Sequence, residues 1–255
     1  MPEEIALGGN LNDAVRIGDT VHRRAGPWTP AVHALLRYLE RANFPAPRVV
    51  GMDAQGREVL RFIEGEAHNG TTEPLPDHLF SEAHLIEAAK LLRRYHDAVA
   101  DFHPQPHAKW RMVAPTPYEV ICHNDWTPWN ALQRNGRVEL MLDWDLAGPG
   151  TRVWDIANSA YCWAPLIVAH HISRTLAEQA RRVRVFVDAY GLKDRSELLL
   201  TLRTRLTFVG ELVARDAAAG DPGMRRLVAQ NVPRQMFDTD VAYLDANWSA
   251  LERAL

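Results

Sequence analysis

Between Val120 and Asp155 the chain reads VICHNDWTPWNALQRNGRVELMLDWDLAGPGTRVWD, and no other stretch constrains the fold as much. Val120, Ile121 and Cys122 form a short apolar run that stops at His123-Asn124-Asp125. Asn135-Gly136 is a two-residue hairpin signal, because both residues tolerate the positive φ that a tight turn between twisted strands requires. After it, Val138, Leu140 and Leu142 alternate with Glu139, Met141 and Asp143, the period-two pattern of a strand. The expected order is strand, polar loop, strand, second polar loop, helix. Asp125, Asn130 and Asp143 fall where strands give way to loops or inside the enclosed loop, and a hairpin gathers such positions. Two carboxylates and a carboxamide make a hard, oxygen-rich site of the kind Mg²⁺ prefers.

Phosphoryl transfer uses this set: one Asp accepts the proton of the acceptor hydroxyl, while an Asn and a second Asp hold the metal that bridges the nucleotide phosphates. Here five positions separate Asp125 from Asn130, and thirteen more lead to Asp143. A hydrolase-type metal site built from His123, Asp125, Asp143 and Asp145 is the competing reading of the same residues. Order, spacing and strand context together resemble the catalytic segment of the aminoglycoside phosphotransferase-like family, small-molecule kinases of the protein-kinase-like fold. The resemblance implies that Asp125 is the catalytic Asp, that His123 supports its loop, and that Asn130 and Asp143 ligate Mg²⁺. Asp155, in Trp-Asp-Ile-Ala, matches the Asp that braces the catalytic loop. The implied fold is α+β and bilobal, with a small β-rich N-lobe (1–64), a hinge near 64–66 and a large, mainly helical C-lobe (65–255).

The bulk numbers agree with a globular enzyme. The chain has 255 residues, 47% hydrophobic and 24% charged, which is ordinary for a folded protein with an ample core. A net charge of −3 argues against a nucleic-acid or anionic-membrane partner. No apolar run approaches the ~20 residues of a membrane span, and no leader pattern opens the chain, so a cytoplasmic location is expected. Two cysteines, Cys122 and Cys162, make no disulfide framework.

Residues 1–64 read as short strands from Ile5 and Ala14 and at Thr20–Arg24, a helix from Thr29-Pro30 with Thr29 as N-cap, then two strands, Arg48–Met52 and Glu58–Ile63. Gly8-Gly9, between the first two strands, can offer backbone N–H groups to nucleotide phosphates. By resemblance, Glu64 lies at the hinge that meets the nucleotide base. The family pattern breaks in one place. Related kinases carry a Lys on the third strand and a Glu on the next helix, but the first Lys here is Lys90. Arg23 takes the lysine position, with Arg24 on the opposite face. The helix position of the Glu falls on Val32, with His33 and Glu40 as the polar residues nearby.

The remainder reads as helical: Ser81 to about Phe102, Trp154–Tyr161, Ser173–Tyr190, Asp194–Ala219 and Val241–Leu255, with Gly220-Asp221-Pro222-Gly223 a turn. Asp188, Glu197, Glu211, Asp216, Asp238, Asp240 and Asp245 offer an acidic wall for a cationic acceptor. Yet residues 67–255 hold 23 acidic and 21 basic residues, no real excess. The tryptophans around the catalytic segment are expected in the core. The resemblance implies Mg²⁺-dependent transfer from ATP or GTP to a hydroxyl of a small molecule, an aminoglycoside-type antibiotic first. The alternatives are an acceptor of another class, or a pseudokinase or immunity protein that keeps the fold without catalysis.

Overall fold

The structure, a computed structural model, describes residues 3–8, 14–68, 75–167, 174–230 and 239–255. The chain divides into two compact units, residues 1–75 with 94–152, and residues 76–93 with 153–255. The expected hinge, Glu64–Glu66, lies inside the first unit.

The first unit holds a five-stranded antiparallel sheet in the order β1-β2-β3-β5-β4: β1 (Glu4–Gly8), β2 (Ala14–Ile17), β3 (Thr20–Arg24), β4 (Val49–Met52) and β5 (Arg57–Arg61). Register places Arg23 of β3 directly opposite Glu58 of β5. Between β3 and β4 runs α1 (Thr29–Arg41), whose Val32, Leu35, Leu36 and Leu39 are at most 1% exposed. Burying such side chains contributes roughly 1.5–3 kcal/mol each, which seats the helix. Its N-cap is Trp28, one residue earlier than expected, because the Thr29 hydroxyl turns back to accept from the Gly26 N–H at 2.9 Å.

Residues 120–150 belong to the same unit. Strand β6 (Val120–Cys122) pairs with β9 (Gly148–Gly150), and β7 (Ala131–Arg134) pairs with β8 (Arg137–Met141). The hairpin between β7 and β8 has φ of 51° at Asn135 and 70° at Gly136, the turn expected from their chemistry. Strand β9 was not expected. A Cβ on Gly148 would lie 1.8 Å from the Met112 carbonyl oxygen, so only glycine lets β9 pass there and pair with Cys122.

The second unit is helical. It takes most of α2 (Glu82–Ala98), whose residues from Arg94 onward belong to the first unit, and then α3 (Arg152–Trp163) from Val153 on, α4 (Leu176–Tyr190), α5 (Leu198–Ala218), α6 (Pro222–Ala229) and α7 (Ala242–Ala254). Helix α2 stops before Phe102, since Phe102 N–H bonds the Val99 carbonyl at 3.0 Å and tightens the exit turn. Helix α4 opens at the Thr175 cap and closes on left-handed Gly191. Helix α5 starts later than Asp194, whose carboxylate instead captures the backbone and hydroxyl of Ser196. The stretch read as a plain turn at 220–223 starts a further helix: Asp221 accepts from Met224 N–H and Pro222 sits in the first turn. None of the described helices is long and apolar enough to cross a membrane. Cys122 and Cys162 are buried thiols.

Candidate active site

His123 begins the site. It follows β6, is fully buried, and lies against the rings of Trp144 (4.5 Å) and Trp126 (6.2 Å). Its Nδ1 accepts from the Asp125 N–H at 3.2 Å, so the proton is on Nε2, which donates to the Leu142 carbonyl at 2.9 Å. One imidazole thus ties the loop carrying Asp125 to the residue before Asp143. Beside it, Asn124 adopts φ 66° and donates from Nδ2 to the Leu146 carbonyl at 2.9 Å. The short polar side chain suits that left-handed position.

Asn130 adds a second tie. Its Nδ2 donates to the Asp125 carbonyl at 2.9 Å and to Asp125 Oδ2 at 2.8 Å, and its own carbonyl accepts from Leu142 N–H at 2.8 Å. With its donors committed to Asp125, the Asn130 carboxamide has an oxygen to offer a cation. Asp143 has a left-handed φ of 52°, sparsely populated for a residue with a Cβ and common where a site constrains the chain. The chain is pinned there by Trp144, which is 1% exposed, donates from Nε1 to the Met141 carbonyl at 3.0 Å and packs on Tyr95 at 5.0 Å. Tyr95 in turn donates to the Ile121 carbonyl of β6 at 2.7 Å.

Arg23 joins the sheet to this loop. It is buried, donates from Nε to Glu58 Oε2, from Nη1 to Asp143 Oδ1 (3.1 Å) and from Nη2 to Asp145 Oδ1 (2.8 Å). His33 of α1 stands 2.9 Å from the other oxygen of Glu58, and Arg111 approaches Asp145 at 4.0 Å while covering the Trp28 ring. Burial works against the charge of Arg23, but Asp145, Glu58 and Asp143 outweigh it and hold the guanidinium charged. Burial also works against Glu58, yet Arg23 and His33 keep it below the usual carboxylate range. Asp145 fares differently. Burial, with Asp143 and Glu58 close by, pushes it up to about 6 despite Arg23. Among the described residues, two guanidiniums, Arg23 and Arg111, approach these three carboxylates. The oxygen donors of Asn130 and Asp143 match the ligand chemistry of Mg²⁺.

The structure therefore brings Asp125, Asn130, His123, Asp143 and Arg23 into one unit. Arg24 lies across from Arg57, on the opposite face of β3 from Arg23. Glu64 accepts from Arg16 at its side chain and from Arg134 at its carbonyl. Gly8 ends β1, while Gly9, His170, His171 and Asp238 lie outside the described residues. Asp155 is fully buried in the first turn of α3, within the second unit. Of the acidic wall, Asp188, Asp216 and Asp245 pair with surface arginines, and the buried Asp240 accepts from the Tyr161 hydroxyl. Trp126, Trp144, Trp154 and Trp163 are buried, and Trp129 is half-buried.

Sequence reasoning missed Glu58 and undervalued Asp145. Glu58 reads as an ordinary charged strand residue. Only its isolation before the apolar Val59-Leu60 pair, across from a strand carrying Arg23, could have marked it.

Residues 107–198 match the phosphotransferase enzyme family. The trifolitoxin immunity protein of Rhizobium leguminosarum bv. trifolii is 37% identical over 208 residues, spanning 76% of this chain and 77% of that protein. Among solved structures, the amicoumacin kinase hAmiN in complex with AMP-PNP, Ca²⁺ and Ami aligns with a TM-score of 0.65 at 13% identity, covering 90% of this chain and 89% of that one. The GDP complex of aminoglycoside 2'-phosphotransferase-IIIa aligns with a TM-score of 0.57 at 15% identity, covering 94% and 92%. At such identities these two likenesses carry the fold, which is protein-kinase-like. The family match spans the whole segment from the catalytic loop to α3, and the identity to the immunity protein extends over most of the chain: this protein belongs to the phosphotransferase enzyme family.

Proposed function

We propose that the protein is a Mg²⁺-dependent O-phosphotransferase that uses ATP or GTP, works in the cytoplasm and phosphorylates a hydroxyl of a small molecule. The observation that carries this reading is the joining of Asp125, Asn130 and Asp143 by His123 and Leu142, with Arg23 bonded to Asp143. Asp125 accepts the hydroxyl proton of the acceptor. It is half-buried, and Asn130 holds its Oδ2 in place. Asn130 and Asp143 hold the metal, which when bound neutralises charge on the phosphates. Arg23 supplies the cation that the family's lysine usually provides. Gly8 and the backbone at Glu64 face the nucleotide, and Asp155 braces the loop. On this reading residues 1–64 form the nucleotide lobe and 65–255 the acceptor lobe.

For the acceptor, an aminoglycoside-type antibiotic is the first choice and a toxin the second, since the 37%-identical relative bears the name of a toxin immunity protein. That relative also favours a second reading, an immunity protein that keeps the fold without catalysis. Thermal shift with Mg-ATP and Mg-GTP, followed by nucleotide turnover across aminoglycosides, other antibiotics and peptides, separates the two. Stabilisation by nucleotide with acceptor-dependent turnover supports the enzyme. Absence of both in the folded protein supports the non-catalytic reading.

A further inference from the structure

Arg23 lacks the helix-borne acidic partner that the family pattern leads one to expect. The position where that acid belongs is Val32, which is fully buried in the core. One residue on, His33 is 6% exposed and points to Glu58, itself 2% exposed. A carboxylate held in the ionised range accepts only, so the His33 Nε2 carries the proton and donates to Glu58 Oε1 at 2.9 Å. The other Glu58 oxygen receives Arg23 Nε–H. These two bonds fix the carboxylate between helix and strand. They also fix the guanidinium, because a planar fork held at its Nε edge has only one way to aim its two Nη groups. Here both Nη groups point at Asp143 and Asp145.

We propose that His33 and Glu58 are positioning residues that couple the seat of α1 to the aim of Arg23, so that His33, acting through Glu58, does the work of the missing helix acid. The proposal rests on the phosphotransferase reading for its effect on nucleotide, but not for its effect on Arg23 itself. Loss of the His33 bond frees Glu58 to rotate, and the Nε edge of the fork is then no longer fixed while its Nη groups meet Asp143 and Asp145. Loss of a hydrogen bond to a charged group corresponds to a factor on the order of 10 in nucleotide KM.

The test uses the full chain as wild type, His33→Ala, His33→Gln and Glu58→Gln, with unfolding midpoints measured for all four. Glutamine at position 33 can still donate to a carboxylate, so it serves as the rescue. The first readout is the NMR signal of the Arg23 Nε–H and its exchange with solvent in the nucleotide-free protein, assigned by its disappearance in Arg23→Lys. The second is KM for Mg-nucleotide against KM for acceptor. Expected are a rapidly exchanging Arg23 Nε–H and a roughly tenfold higher nucleotide KM in His33→Ala, an unchanged acceptor KM, and recovery in His33→Gln. A folded His33→Ala that keeps a protected Arg23 Nε–H overturns the proposal. If wild type neither binds nor turns over nucleotide, the phosphotransferase reading fails, and the exchange measurement alone still decides the role of His33.

Discussion

His123 Nε2 donates to the Leu142 carbonyl at 2.9 Å, one residue before Asp143, while its Nδ1 receives the Asp125 N–H. A single buried ring therefore sets the spacing between Asp125 and Asp143, which lie eighteen positions apart in the chain. His123→Ala leaves the Leu142 carbonyl without its donor and a cavity beside Trp144. The expected cost is about 3 kcal/mol of stability together with lost turnover. Urea unfolding alongside an assay of the folded fraction checks it; a variant as stable as wild type argues against the tie.

Asp125→Asn is expected to reduce phosphoryl transfer by roughly 10²–10⁴-fold while leaving folding and nucleotide binding near wild type. The carboxamide has nearly the carboxylate's shape but cannot take the proton. Single-turnover kinetics on an identified acceptor would show it, and wild-type rates would remove Asp125 from the role of base.

Asp143 and Asp145 are expected to fail in different ways. Asp143 is the more exposed and is the proposed metal ligand, so Asp143→Ala, like Asn130→Ala, is expected to weaken Mg²⁺-dependent nucleotide binding. Asp145 is buried against Arg23. Asp145→Ala therefore mainly costs stability, about 2 kcal/mol, by removing one hydrogen bond to the Arg23 guanidinium, which keeps Glu58 and Asp143. Calorimetry with Mg-nucleotide and denaturant melts separate the two losses. A larger metal effect at Asp145 than at Asp143 favours the hydrolase-type set.

Arg23→Ala is expected to lower nucleotide kcat/KM, Arg24→Ala to change it little, and Arg23→Lys to be tolerated only in part. A lysine is a point charge and cannot span Glu58, Asp143 and Asp145 at once. Near-wild-type values in all three variants would remove Arg23 from the role of the cation that meets the phosphates.

Glu58 makes stability depend on pH. Its folded pKa lies below that of an unfolded Glu, about 4.3, so its contribution is complete above that value and is lost as pH falls through the folded pKa. Gln cannot titrate. The gap in unfolding free energy between wild type and Glu58→Gln, about 3 kcal/mol at neutral pH, should narrow steadily below pH 4. A gap that stays constant from pH 7 to pH 3 would falsify the ionised Glu58–Arg23 pair.

What the sequence made legible was local. The Asn135-Gly136 turn, the apolar face of α1 and the placing of Asp125, Asn130 and Asp143 at strand ends all follow from periodicity and turn chemistry within about twenty residues. Strand alternation allows only one of Arg23 and Arg24 to face inward, and the family resemblance, not the alternation, singled out Arg23. Glu58 and His33 could not be paired in this way. Their meeting depends on the register of β3 against β5 and on how α1 sits, which are non-local. Strand β9 was hidden for a related reason: Gly148-Pro149-Gly150 has turn composition and becomes a strand only because β6 lies beside it. At α6 the same four residues that signal a turn also cap a helix, and the sequence alone does not choose between the two.

The guanidinium at Arg23 has a practical consequence for chemical proteomics. Acylating nucleotide probes that survey kinases label an amine beside the phosphates. The chain has three lysines, Lys90, Lys109 and Lys193, and none lies in the sheet that carries Arg23. Burial among acids holds Arg23 charged, which leaves it no nucleophilic lone pair to acylate. Amine-directed profiling is expected to find no target on this sheet, so that any label must come from a lysine outside it, of which Lys109 lies two residues from Arg111.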